Sequence, residues 1–370
     1  MPNLTQPEIK ILAYWSFGVV IVRSCGLTMV TAIMAKLTGK KESNMRQCLR
    51  EWYWNKEDKA GAHRQEIEVT KSYVPLLRWV LSWWPKEEKR MMIAMDATTL
   101  GERYTVLAIS VVYRGCAIPI AWKIVVANKK KAWKQEWLIL YEIIQNTIPG
   151  DWLVIVLADR GLYADWLFHA ICKIGWHPFL RINMGGKYRL DGKSEYQELK
   201  GAIKKTDKSW AEKVVCFKHK PLKATLLASW DEKYEEPWLI LTDLEPEQAQ
   251  SCWYSMRSWV ECGFKQTKRG GWQWQNTRMT DPDRASRLWL VIAVATLWAV
   301  SVGGEADAGL PASSLGELAE IQIVHRTATK RSTPRLLSCF KQGIIHILAA
   351  LILNQPLPLG RFIPESWPGT

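Results

Sequence analysis

Apolar residues recur at three- and four-residue spacing through Ile9 to Val22, Leu27 to Leu37 and Met45 to Trp54, the period of amphipathic helices. Ser43, just ahead of Met45 and Arg46, marks the expected start of the third helix. Residues 8–84 therefore read as one helical block. From Met91 onward the pattern changes to short runs rich in Val, Ile and Ala, bounded by Gly, Pro and charged residues, which is the signature of strands. Strands are expected near 91–97, 104–113 and 116–125, followed by a helix from Lys131 to Gln145, a buried strand from Trp152 to Ala158, a helix from Leu162 to Ile174 and a strand from His177 to Arg181.

Three hairpin-connected strands followed by alternating helix and strand is the order of a ribonuclease-H-like α/β fold. Further strand-like pieces at Lys213 to Phe217, Ala224 to Trp230 and Trp238 to Thr242 predict a β-rich insertion at about 183–242. Helices are expected from about Pro246 past Lys268 and from Pro282 to Val302, each with a proline at an early position. Residues 303–312 read as a loop, and the remainder as mostly helical with a Pro-rich tail. The predicted architecture is a helical domain at 1–88, an α/β domain at 89–302 and a helical segment at 303–370.

Charge sharpens this picture. The formal net charge is +14, so the surface will collect polyanions, of which nucleic acid is the commonest in a cell. Between Arg181 and Lys223 stand twelve Lys or Arg against five Asp or Glu, so this segment alone supplies half of that charge. The amino-terminal block adds Arg23, Lys36, Lys40, Lys41, Arg46 and Arg50, and a small helical bundle with basic edges suits a DNA end. Leu288 to Gly303 is the longest apolar run; it falls short of the roughly 20 residues of a bilayer span and is expected to be a core helix, with no membrane partner. The first ten residues carry Pro2, Glu8 and Lys10 without a signal-peptide pattern, and eight cysteines lack any CxxC pair or zinc spacing, so a cytoplasmic protein with reduced thiols is expected.

Two carboxylates stand out. Asp96 ends the apolar run in MMIAMDATT, and Asp159 does the same in WLVIVLADRG, at the strand ends where α/β sheets place their sites. A third, Glu261, shares a helical stripe with Tyr254, Arg257, Lys265 and Lys268, at about 100° per residue. Trp253, Val260 and Phe264 make the apolar stripe beside it.

The spacing Tyr254-(2)-Arg257-(3)-Glu261-(6)-Lys268 resembles the YREK signature of a bacterial insertion-sequence transposase family, the hairpin-forming cut-and-paste group, and Asp96 and the DRG at Asp159 fall in the order that family requires. The resemblance covers residues 90–300 and implies a DDE triad of Asp96, Asp159 and Glu261 holding two Mg²⁺ ions, with Mn²⁺ as substitute. Hard carboxylate oxygens suit those ions better than zinc. It further implies that Tyr254, Arg257 and Lys268, with Lys265 beside them, contact DNA phosphates, and that Trp238 of WLILT stacks on a flipped base. The implied partners are double-stranded DNA, at terminal inverted repeats and target sites, and a second copy of the chain in the synaptic complex. Two other readings share these residues: a metal-dependent nuclease that does not transpose, and a transposase-derived DNA-binding protein.

Overall fold

The computed structural model describes residues 1–61, 65–127, 133–231, 234–308 and 337–369. It divides into a first unit of residues 1–88, 97–148 and 259–365 and a second unit of residues 89–96, 149–258 and 366–370. The fold is mixed α/β, with a ribonuclease-H-like core and a β-rich insertion.

In the first unit, α1 (Gln6–Val22), α2 (Leu27–Thr38), α3 (Glu42–Tyr53) and α4 (Tyr73–Ser82) form the expected helical block. The Glu8 carboxylate accepts from both the backbone N and the hydroxyl of Thr5, so the first helix starts where its orphan amides have a partner. Strand β2 (Tyr104–Tyr113) pairs antiparallel with β3 (Cys116–Val126). Every residue of β2 is buried, which explains a continuous apolar run in place of alternation. Arg114 and Gly115 close the hairpin with φ of 45° and 74°, as a two-residue turn of matching twist demands. A non-glycine residue there is unusual. Its guanidinium is nevertheless tied down, donating from Nε to the Ile363 carbonyl (2.7 Å) and pairing through NH1 with the fully buried Asp307 (3.4 Å).

Helix α5 (Lys134–Ile144) follows, and its expected first residues, 131 and 132, lie outside the described chain. Helix α8 (Pro282–Asp307) is the central strut of this unit. Asp281 caps it by accepting from the backbone N of Asp283 and Arg284, and Pro282 follows at a first-turn position. The helix is longer than expected: residues 303–307, anticipated as loop, continue it, while 309–336 fall outside the described residues. At 26 residues it is long and apolar enough to cross a membrane, yet 89% of its most apolar window is buried within the protein. Tryptophans supply much of that burial. Trp289 meets Trp274 and Trp122 at ring distances of 5.3 and 6.0 Å, and Trp122 in turn meets Tyr73 at 4.9 Å.

Helix α9 (Cys339–Ile352) docks on α8 through glycines. A Cβ on Gly303 would stand 1.8 Å from the Cys339 carbonyl oxygen, and one on Gly343 would stand 1.7 Å from that of Ala299. Only glycine allows two backbones this close.

In the second unit, residues 90–96 of β1 (Arg90–Leu100) begin a sheet of order β1-β4-β5-β10-β9-β8-β6-β7. β4 (Leu153–Ala158) and β5 (His177–Arg181) run parallel to β1, joined by α6 (Asp165–Lys173). β10 (Trp238–Thr242), β9 (Leu222–Ser229), β8 (Trp210–Cys216), β6 (Lys187–Leu190) and β7 (Gln197–Glu198) continue it with antiparallel pairings. The insertion thus extends the central sheet edgewise. Its first two strands, β6 and β7, are too short to carry a period-2 pattern and are invisible in the sequence. Beyond β1 the same strand order continues with β2 and β3.

All eight cysteines are free thiols, and Cys25, Cys116, Cys216 and Cys339 are buried. Burial pushes the Cys25 and Cys216 thiols up to about 12, which leaves almost no thiolate at neutral pH. In the native protein at pH 8 an aromatic disulfide reagent should therefore leave these four thiols unmodified, and all eight should react in guanidinium. Rapid native modification of Cys25 would contradict this packing.

Candidate active site

β1 and β4 lie side by side and parallel, in register at Ala94 and Leu157. Asp96 and Asp159 each stand two residues beyond that pair, so two carboxylates emerge at the same level, Asp159 just past the end of β4 and Asp96 inside β1, which runs on to Leu100 and does not end at the carboxylate as the sequence suggested. Met91 to Met95 and Val154 to Ala158 are buried at 2% exposure or less, which fixes both strands before the chain turns polar. Asp96 keeps 16% of its side-chain exposure and Asp159 keeps 38%.

Arg257 joins them. Its NH2 donates to Asp96 Oδ2 at 2.8 Å and to Asp159 Oδ2 at 3.3 Å, with the guanidinium itself 13% exposed. Two like charges on adjacent strands repel, and one shared cation offsets that repulsion. The other oxygen of Asp159 accepts the backbone N–H of Arg160. Arg160 reaches outward to Glu236, which Arg181 also approaches at 3.5 Å, so an ion chain runs from the DRG turn to the residues preceding β10. The sequence displayed Arg160 within DRG, but nothing in it pointed to Glu236 or Arg181 as its neighbours.

The segment before Glu261 departs from the predicted single helix. Pro246–Gln248 and Ser251–Arg257 are 3-10 turns, and the α-helix α7 begins only at Ser258 and ends at Thr267. At three residues per turn, positions i and i+3 eclipse. Trp253 and Met256 consequently share a buried ridge, and Tyr254 stands one turn above Arg257. The continuous α-helical stripe inferred from 100° spacing is thus not formed. The uniform α-geometry that such spacing assumes gives way where Trp253 is held in the core by Phe179 and Trp367, at ring distances of 5.9 and 5.0 Å.

Tyr254 is turned inward. It is 5% exposed, its hydroxyl donates to the Ala158 carbonyl at 3.2 Å, and burial raises its pKa far above the ordinary phenol value, so it remains a donor. Trp238 packs edge-on against its ring at 5.3 Å and against Tyr234 at 5.1 Å, while staying partly exposed. Within this unit, then, Asp96, Asp159, Arg257, Tyr254 and Trp238 form one connected cluster.

The remaining residues singled out in the sequence belong to the first unit. Glu261 lies in the first turn of α7 and Lys265 in its last, both exposed. Gly263 seats this helix on β3, where an added Cβ would come within 2.8 Å of that of Ala117. Lys268 follows the helix end and folds back, donating from Nζ to Thr98 Oγ1 (2.8 Å) and the Thr99 carbonyl (2.7 Å). Its pKa is lowered by burial. The two threonines after Asp96 thus have a role the sequence did not reveal: they hold the lysine of the signature.

Among the described residues no group of three or more His, Cys, Asp or Glu gathers as a ready metal cage. The aspartate pair nonetheless fits a divalent ion by its chemistry. Both carboxylates point an oxygen at one shared cationic group, and Mg²⁺ is commonly held by one or two carboxylates with water and substrate phosphates completing its shell.

No curated protein matches the chain. Among solved structures, similarity is found to a piggyBac transposase synaptic complex with hairpin DNA, at 9% identity and a TM-score of 0.39, covering 86% of this chain and 70% of that one. A family model described as a transposase DDE domain matches residues 89–298, more than half of the sequence and the whole span from β1 through the first part of α8. The chain therefore belongs to the transposase DDE domain family.

Proposed function

We propose that this protein excises a mobile DNA element at its terminal inverted repeats and joins it to target DNA, by hydrolysis and transesterification of phosphodiester bonds, through a hairpin intermediate, as a member of the bacterial YREK group. The observation that carries the proposal is the convergence of Asp96 and Asp159, from adjacent strands, on a single guanidinium inside the DDE domain.

Asp96 and Asp159 are assigned as ligands of the catalytic ions, with Glu261 as the third carboxylate. Two Mg²⁺, or Mn²⁺ in their place, would activate the attacking water or 3′-hydroxyl and stabilise the leaving oxygen. Arg257 offsets one of the pair's two negative charges and is placed to exchange those contacts for a DNA phosphate, a ligand its planar fork grips bidentately. Lys268 and Lys265 add phosphate contacts from the first unit. Tyr254 holds the last residue of β4 through its bond to Ala158, and supports Trp238, whose exposed part is the stacking surface for a displaced base. The helical block at 1–88 grips the element end, and two copies act together on paired ends. A transposase acting on the cell's own DNA is expected in the bacterial cytoplasm.

Labelled duplexes carrying the terminal inverted repeat, taken from DNA flanking the coding sequence, test this with Mg²⁺ on a denaturing gel. Nicks at the element boundary, followed by a faster-migrating hairpin, are the expected products. Cleavage scattered along the duplex would favour a non-transposing nuclease. Binding without cleavage under Mg²⁺ and Mn²⁺ would leave only a DNA-binding protein.

A further inference from the structure

Beyond the carboxylate cluster, the first unit holds an open cleft of about 550 Å³ between the start of α2, the side of α3 and the segment 273–281 that precedes α8. That segment is built to present side chains. In the run WQWQNTR, Trp272 and Trp274 are both fully buried, whereas Gln273, Asn276 and Arg278 are exposed and line the cleft. Pinned between two buried indoles, Gln273 adopts a left-handed φ of 54°, a conformation that costs a non-glycine residue stability and persists only where its surroundings enforce it. Further anchors act on the backbone. Cys25 N donates to the Trp272 carbonyl at 2.7 Å, and Arg103 donates to the carbonyls of Thr277 and Met279.

The charge of the lining is one-sided. Arg46, Arg278 and Arg284 face a single acid, Asp281. Asp281 is consumed by the cap of α8 and by Asn55, while Arg284 is paired with Asp58 and Asp281. Arg46 and Arg278 have no carboxylate partner among the described residues; Arg46 makes only a 3.5 Å contact to the Thr28 hydroxyl. Two uncommitted guanidinium groups beside two side-chain amides and the hydroxyls of Thr28 and Thr277 form a donor-rich wall. Such a wall suits phosphate oxygens.

We propose that this cleft is a docking site for a DNA phosphodiester backbone, in which Arg46 and Arg278 neutralise successive phosphates and Gln273 and Asn276 add neutral hydrogen bonds. The identification of the polyanion as DNA rests on the transposase reading; the anionic character of the ligand rests on the cleft alone. Its role is to hold a strand in register, independent of sequence.

The test uses the full chain and a fluorescent mixed-sequence duplex, measuring anisotropy across a salt series. Arg46→Ala with Arg278→Ala should weaken binding about tenfold or more and flatten the log affinity against log salt slope by roughly 1.8, since each lost phosphate contact removes about 0.9. Arg46→Lys with Arg278→Lys should restore most of that slope, because the charge returns. As a control for general charge loss, Lys173→Ala with Lys341→Ala, at exposed positions outside the cleft lining, should change the slope by much less. Unaltered affinity and slope in the Ala pair, with a folded thermal transition, would overturn the proposal, as would an equal loss in the control pair. Adenosine monophosphate distinguishes a free nucleotide from a backbone: saturable binding of it that the Ala pair abolishes, with duplex affinity unchanged, would also overturn it. Cleavage is scored separately. A wild-type protein that binds and never cuts sinks the transposase reading while the slope result stands, and a wild-type protein that cuts while the Ala pair binds normally sinks only the cleft.

Discussion

Replacing Asp96 or Asp159 by Asn should abolish cleavage of the element end, lowering the rate by a factor of roughly 10³ to 10⁶, while duplex binding stays near the wild-type value. The expectation follows from the charge of the pair. Asparagine keeps the shape and an acceptor oxygen for Arg257, so the local fold survives, but a neutral amide is a far poorer ligand for a hard divalent ion than a carboxylate. The double variant should be little worse than either single one, because residues that act as one unit lose their effect together. Single-turnover cleavage with binding measured in parallel checks this. Cleavage within tenfold of wild type in both variants would remove these aspartates from the chemistry, and loss of binding together with cleavage would recast them as structural.

The second large effect concerns the joint between α8 and α9. Gly343→Val should destabilise the protein by about 3 kcal/mol or more, because a side chain there meets the Ala299 carbonyl rather than a movable side chain. For a unit of this size that corresponds to a fall in Tm of roughly 6 to 12 °C, read by thermal unfolding. Gly150→Ala is the matched control. A Cβ added there meets nothing within 4 Å and its backbone is ordinary, so the Tm should stay within a degree or two of wild type. A Gly343→Val protein that melts with the wild type would mean that α9 does not dock on α8 in the manner described.

Much of this protein was legible in the sequence because local patterns report local physics. The change of period near Met91 marked the passage from helices to strands, and the proline at position 282 marked the start of α8. Asp96 and Asp159 were visible as lone carboxylates closing apolar runs, a position that burial of β1 and β4 makes conspicuous. The spacing of Tyr254, Arg257, Glu261 and Lys268 was equally plain, and so was the family resemblance it carried.

What the sequence could not supply depended on partners distant along the chain. Spacing at 100° per residue placed Tyr254 and Arg257 on an α-helical stripe, whereas packing of Trp253 against Phe179 and Trp367 accompanies a 3-10 turn there, and Tyr254 faces inward to Ala158. The end of α8 read as a loop because Gly303 and Gly304 are poor helix formers, and only the close approach of α9 and the burial of Asp307 against Arg114 make helix the better state. Periodicity and motif spacing determined which elements form and which residues carry charge; tertiary structure decided which charges meet, since hydrogen bonds and burial are set by neighbours in space and not by neighbours in sequence.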